Sequence, residues 1–223
     1  MIYVPTGGPD DWQRLLAEPE KHWKTGYSAR ALAYCWESAK GFPTEIGATL
    51  AADPAFADIE PLIGIPEHQV PLPGGSRPSQ NDIWVLAKCS GGLVSIAVEG
   101  KVAESFGPTV GEWSKDASAG KQERLAFLAR CLGIELPIPD GIRYQLLHRT
   151  ASAIIEAKRF TAPYAVMLVH SFSPEKLWLD DYLAFVSLLG GEGAADSLTR
   201  IDSDRAIDAR VGWVSGDERW LSA

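Results

Sequence analysis

The stretch Asp82-Ile83-Trp84-Val85-Leu86-Ala87-Lys88, then Cys89-Ser90-Gly91-Gly92, then Leu93-Val94-Ser95-Ile96-Ala97-Val98-Glu99-Gly100-Lys101 reads as a β-hairpin. A two-residue turn at Ser90-Gly91 and a four-residue loop from Cys89 to Gly92 give the same register. That register pairs Ala87 with Val94, Val85 with Ile96 and Ile83 with Val98 on one wholly apolar face. The other face pairs Leu86 with Ser95 and Trp84 with Ala97. It then turns polar at its far end, where Asp82 falls opposite Glu99 and Lys101 follows two residues on.

Working outward, Asp10 or Asp11 is placed to cap a short helix through Glu18, and Ser28 to cap a second helix with the apolar stripe Ala31, Leu32, Cys35, Trp36 and Ala39. Gly41 and Pro43 stop that helix, and a third runs from Pro43 to Ala52. Ile59, Leu62, Ile63 and Ile65 mark a first strand, and Pro66 to Pro78 reads as a surface excursion. Beyond the hairpin, Lys121 to Leu132 is helical, and a longer helix capped by Asp140 closes at Lys158-Arg159. Tyr164 to His170 is an apolar run suited to an interior strand. Ser173-Pro174 opens a helix that Gly190-Gly191 ends, and Ala209 to Val214 is a last strand. This order predicts an α/β fold in the mixed-sheet (α+β) sense, a central sheet flanked by helices. With no repeat or linker, one domain covers residues 1–223, its core about 28–170, with an N-terminal helical addition and a C-terminal helix and strand.

Composition narrows the function. The chain has 223 residues, 46% of them hydrophobic, which excludes disorder as the main state. No stretch approaches the roughly 18 apolar residues of a spanning helix, and the N-terminus lacks a signal-peptide pattern, so a cytoplasmic protein away from the membrane is expected. Cys35, Cys89 and Cys131 read as buried free thiols, and His22, His68, His148 and His170 add no ligand spacing to them. With 21 basic against 29 acidic residues, the net charge of −8 argues against a generic nucleic-acid coat. An acidic metal site with a local basic surface stays compatible with it.

The hairpin end carries the chemistry. Two facing carboxylates can hold a divalent metal, because hard cations need oxygen ligands converging within about 2.0–2.6 Å of one point. A lysine two residues along lies on the same side, roughly 6–7 Å further, where it can hold an attacking water or a phosphate oxygen. A charged cluster at a solvated sheet end is the plain structural alternative. Asp82, the hairpin and Glu99-Gly100-Lys101, with a helix before and a helix and strand after, resemble the restriction-endonuclease-like PD-(D/E)XK nuclease superfamily, and look like a bacterial branch of it. The resemblance spans about Ser28 to His170. It implies a restriction-endonuclease-like core in which Asp82 and Glu99 bind Mg2+, with Mn2+ as a substitute, and Lys101 assists the nucleophilic water. Asn81 stands where the motif has proline.

Members of that superfamily often add a first-helix Glu and a Gln or basic residue on the helix after the hairpin. Glu37 and Gln145, with Arg149, match those positions, although solvent exposure explains Glu37 as simply, and an ordinary solvated face along Gln145, Arg149, Ser152 and Glu156 is the simpler explanation of the helix residues. Glu104 and Ser105 lie within reach of substrate or in an exposed loop. Pro9-Asp10 and Glu156-Ala157-Lys158 spell the two motifs literally. The first is better read as a helix cap, and in the second, residues two apart on a helix point about 200° from each other. The eight tryptophans are scattered as core residues would be. The chain lacks a Gly-X-Ser-X-Gly turn, a P-loop and a dinucleotide fingerprint.

The expected activity is metal-dependent phosphodiester hydrolysis, on DNA in preference to RNA. The competing class is a non-catalytic binding or regulatory module. Lys121, Arg124, Arg143 and Arg149 are the basic residues placed to meet a phosphate backbone, and an oligomer or partner protein would complete so sparse a surface.

Overall fold

In the computed structural model, which describes residues 6–203 and 206–223, six strands form one mixed sheet. In chain order the elements are α1 (Pro19–His22), α2 (Ser28–Ser38), α3 (Thr44–Ala51), β1 (Glu60–Val70), β2 (Ser79–Cys89), β3 (Gly92–Lys101), α4 (Val110–Ser114), α5 (Ala119–Leu132), α6 (Tyr144–Arg159), β4 (Tyr164–Ser171), α7 (Leu179–Leu188), β5 (Ser197–Ile201) and β6 (Asp208–Ser215). The strand order is β1-β2-β3-β4-β6-β5. β1, β2 and β3 form an antiparallel meander, β3, β4 and β6 run parallel, and β5 closes the far edge antiparallel to β6.

The hairpin has the expected register, with Ile83 opposite Val98, Val85 opposite Ile96 and Ala87 opposite Val94 across a Ser90-Gly91 turn. Its apolar face packs under α2 and α3, in a core with Leu32, Trp36, Ile46, Leu50, Val166 and Leu168. Parallel pairing of β3 with β4 requires a crossover, which α4, α5 and α6 supply. These helices and α7 cover the other face, where Leu128, Leu146, Leu147, Ile154 and Phe185 pack in one core with Trp213 of β6. Both faces of β3 and β4 are therefore buried, as the unbroken apolar runs require.

Several local expectations give way to tertiary contacts. Asp10 and Asp11 cap no α-helix: Pro9–Leu15 is a 3-10 helix entered through Gly8, and Asp11 accepts from the backbone of Gly7. Ser28 is the first residue of α2 rather than its cap, its hydroxyl being drawn to Glu104. α6 starts at Tyr144, not beside Asp140, because the carbonyls of Asp140 and Ile142 accept from Gly111 and Val110. Similarly, α7 begins at Leu179, after Trp178 in the left-handed region at φ 71°, rather than at Ser173-Pro174.

The Pro66–Pro78 segment is only partly an excursion. Its first residues extend β1, and the loop beyond is pinned by the Arg124 guanidinium, which donates to the carbonyls of Leu72, Pro73 and Gly75. Gly74 is required there, since a Cβ would fall 2.1 Å from the carbonyl oxygen of Gly120. β5 has no counterpart in the sequence reading. Ser-Leu-Thr-Arg-Ile is too short and too polar to signal a strand, and it forms by pairing with β6. All three cysteines are free, but Cys89 is half-buried rather than buried.

Candidate active site

Three acidic residues lie on one row across neighbouring strands. Pro66 pairs with Ile83 and His68 with Asn81, which sets Glu67 opposite Asp82, and the hairpin register sets Asp82 opposite Glu99. They sit at the end of the sheet where β3 finishes, in a pocket of about 430 Å3 also lined by Ser28, Gln80, Lys101, Glu104, Tyr144, Gln145, His148 and Arg149. Glu67 adopts a left-handed backbone at φ 53°, a rare conformation for a residue with a side chain. This breaks the alternation of β1, so that two successive residues face the same side: Glu67 accepts from Gln80 at 2.6 Å, and His68 stacks on Trp84 at 5.1 Å.

Glu99 is the centre of the hydrogen bonding. Its Oε1 accepts from Lys101 Nζ at 2.5 Å and from Gln145 Nε2 at 2.8 Å, and its Oε2 accepts from Arg149 Nε at 2.5 Å. Arg149 also lies 4.0 Å from Asp82 Oδ1, and Asp82 Oδ2 accepts from the backbone of Gly100. Lys101 Nζ rests 5.1 Å from the centre of the Phe106 ring. Glu99 and Lys101 are almost fully buried, while the Asp82 side chain keeps 21% exposure toward the pocket.

The carboxylates divide into two electrostatic classes. Burial pushes Glu99 up, but Arg149 and Lys101 outweigh it and hold its carboxyl below the usual range. Asp82 is raised to about 7 by burial and then by the charge of Glu99. Glu67 is raised to about 8 by burial and then by Asp82. Without a cation, then, burial and the neighbouring charges favour the protonated form of Asp82 and Glu67, while Glu99 stays ionised.

The predicted residues Asp82, Glu99, Lys101 and Gln145 come together, joined by Arg149. Glu37 does not join them: it points to the opposite side of α2, where Oε1 accepts from Thr6 and from Trp12 Nε1 at 2.8 Å each. The helix before the hairpin thus contributes no acid, and Glu67, which sequence reading missed, fills that part of the pocket. Only a left-handed glutamate inside a strand distinguishes it, and the sequence carries no mark of that. The polar line on α6 is not a solvated face either, since Arg149, Ser152 and Glu156 are buried against the sheet.

Glu104 holds the backbone and hydroxyl of Ser28, fixing the start of α2 at the pocket rim, while Ser105 also lines the pocket. The four cations expected to meet phosphate are committed internally. Arg124 binds loop carbonyls, Arg149 binds Glu99, Arg143 pairs with Asp181 at 2.8 Å, and Lys121 donates to the Trp113 carbonyl at 2.6 Å.

The donor set suits a hard divalent cation. It consists of carboxylate oxygens together with Gln145 Oε1, which lines this pocket buried and without a hydrogen-bond partner. Asp82 and Glu99, with Glu67 beside them, are the residues that would hold such an ion.

A family model described as a domain of unknown function, DUF6946, matches residues 5–218. The chain belongs to that family. No curated protein and no solved structure matches the chain. For this DUF6946 member the assignment of chemistry therefore rests on the pocket. Among the described residues, no helix is long and apolar enough to cross a membrane.

Proposed function

We propose that this DUF6946 protein is a Mg2+-dependent nuclease with a PD-(D/E)XK-type site, hydrolysing phosphodiester bonds of DNA in preference to RNA. The observation that carries the reading is the row Glu67, Asp82 and Glu99 with Lys101 on the same face, at the open end of a helix-flanked mixed sheet. The element order around it, a helix, three antiparallel strands, a helical crossover and a parallel strand, supports the same reading.

The chain's residues divide the work. Arg149 and Lys101 neutralise Glu99 and fix its orientation, so that it stays ionised in a buried setting. Lys101, held against Phe106, is the cation placed to orient a water for in-line attack. Gln145 ties α6 to Glu99 and presents its free amide oxygen to the pocket. A bound Mg2+ would supply positive charge to a phosphate oxygen and lower the pKa of a coordinated water.

A second reading, a binding module without turnover, draws on one observation: both oxygens of Glu99 are already engaged by Lys101, Gln145 and Arg149. Single-turnover assays on duplex, single-stranded and branched DNA and on RNA, with Mg2+ and Mn2+, separate the two. Metal-dependent cleavage that Lys101→Ala abolishes supports the nuclease. Binding of the same substrates without cleavage supports the module. The free thiols fit a reducing compartment, and we place the protein in the cytoplasm, with an oligomer or partner protein completing the basic surface around the pocket.

A further inference from the structure

On the opposite face of the sheet, α2, α3 and β4 bring Cys35, Glu45 and His170 together, with their ligating atoms all within 4.8 Å of one another. From this juxtaposition we infer a second metal site, one that binds a single Zn2+ through Cys35 Sγ, Glu45 Oε1 and His170 Nε2. The reading is independent of the nuclease site, from which the sheet separates it.

Two of the three ligand spacings are close to those of a coordination polyhedron. Tetrahedral zinc with Zn–S of about 2.3 Å and Zn–N and Zn–O of about 2.0–2.1 Å sets neighbouring ligand atoms about 3.3–3.5 Å apart. Cys35 Sγ lies 3.6 Å from Glu45 Oε1, and His170 Nε2 lies 3.1 Å from the same oxygen. The ligand chemistry discriminates as well: thiolate and imidazole with one carboxylate favour zinc over the hard cations suited to Asp82 and Glu99.

His170 is fully buried, and Nε2, the ring nitrogen that faces Glu45, is the one that would ligate. The side chain of Glu45 is 24% exposed, which gives the cluster its approach from solvent.

The proton balance is simple. Without metal, the Cys35 thiol and a ring N–H of His170 both donate to Glu45. On binding, the thiol proton leaves to solvent, and the imidazole proton moves to Nδ1, leaving Nε2 free to ligate.

The test loads the full-length protein with Zn2+, removes free metal and measures bound zinc by elemental analysis. A parallel sample with Co2+ is read for the thiolate-to-cobalt charge-transfer band. One zinc per chain and a cobalt band are expected, both lost in Cys35→Ser and both retained in Asp82→Asn. Serine keeps a donor to Glu45, so a network that is only structural would survive that exchange, and circular dichroism checks that the variant is folded. Glu45→Gln provides a second variant, expected to lose zinc while still accepting from His170. Zinc well below one equivalent in the wild type, or equal zinc in wild type and Cys35→Ser, would overturn the site.

Discussion

Glu67 and Asp82 occupy the same register position on neighbouring antiparallel strands, where burial and then the charge of Asp82 raise the carboxyl pKa of Glu67. Such a pair is unfavourable without a cation and favourable around one. Glu67→Gln is therefore predicted to weaken Mg2+ binding by about tenfold or more without loss of fold, since residues that tune metal ligands typically contribute 10- to 100-fold. Isothermal titration calorimetry measures this. An unchanged affinity would remove Glu67 from the site.

The same pair predicts how stability depends on pH. Asp82 and Glu67, at about 7 and about 8, lie above their ordinary values of 3.8 and 4.5, so the native state holds more protons than the unfolded chain in between. Their contribution is fully present below about pH 4 and is lost as pH rises through 7 and 8. Urea titrations in chelator at several pH values should show this decline, and Asp82→Asn with Glu67→Gln should flatten it. A metal-free protein whose stability rises through this window for reasons traced to these two residues would contradict the assignment.

Glu99 and Asp82 should respond in opposite ways. Glu99→Gln leaves Lys101 and Arg149 buried without their counter-charge and is expected to cost about 3–5 kcal/mol. Asp82→Asn removes a repelled carboxylate and keeps an acceptor for the Gly100 amide, so the metal-free protein should be unchanged or slightly more stable while losing Mg2+ binding. Denaturant melts and calorimetry on both variants provide the comparison. Equal destabilisation would mean that the two acids share one role.

Lys101→Ala is expected to abolish cleavage, but it does not leave the fold untouched. Lys101 is buried on Glu99, which keeps Arg149 and Gln145 after the exchange, so the loss should be about 1–3 kcal/mol. Single-turnover rates, measured where the variant is fully folded, separate the catalytic effect from the structural one. Full activity would show that Lys101 serves the fold alone.

Lys121, Arg124, Arg143 and Arg149 are tied to protein acceptors, so these four are not free to displace counterions from DNA. Each phosphate neutralised contributes about −0.9 to the slope of log K against log salt. A shallow slope is expected from titrations with Ca2+ in place of Mg2+. Tight binding by the monomer with a steep slope would reveal a basic surface elsewhere.

The sequence by itself determined the hairpin and its register, because turn length and the two-residue period of a strand are local properties. It also determined that Asp82, Glu99 and Lys101 share one face, and that Tyr164 to His170 is an interior strand. Only the tertiary structure decided the rest of the pocket. Glu67 enters through a left-handed residue inside β1, Glu37 turns away because Thr6 and Trp12 claim it, and the polar line of α6 faces inward because Glu99 needs Arg149 and Gln145. His170 lies 125 residues from Glu45 in the chain, and meets it and Cys35 only because α2 and α3 pack on the face of β4 that carries His170. Side-chain direction within a strand follows from a short stretch of chain, whereas which groups neutralise a buried charge depends on every element packed around it.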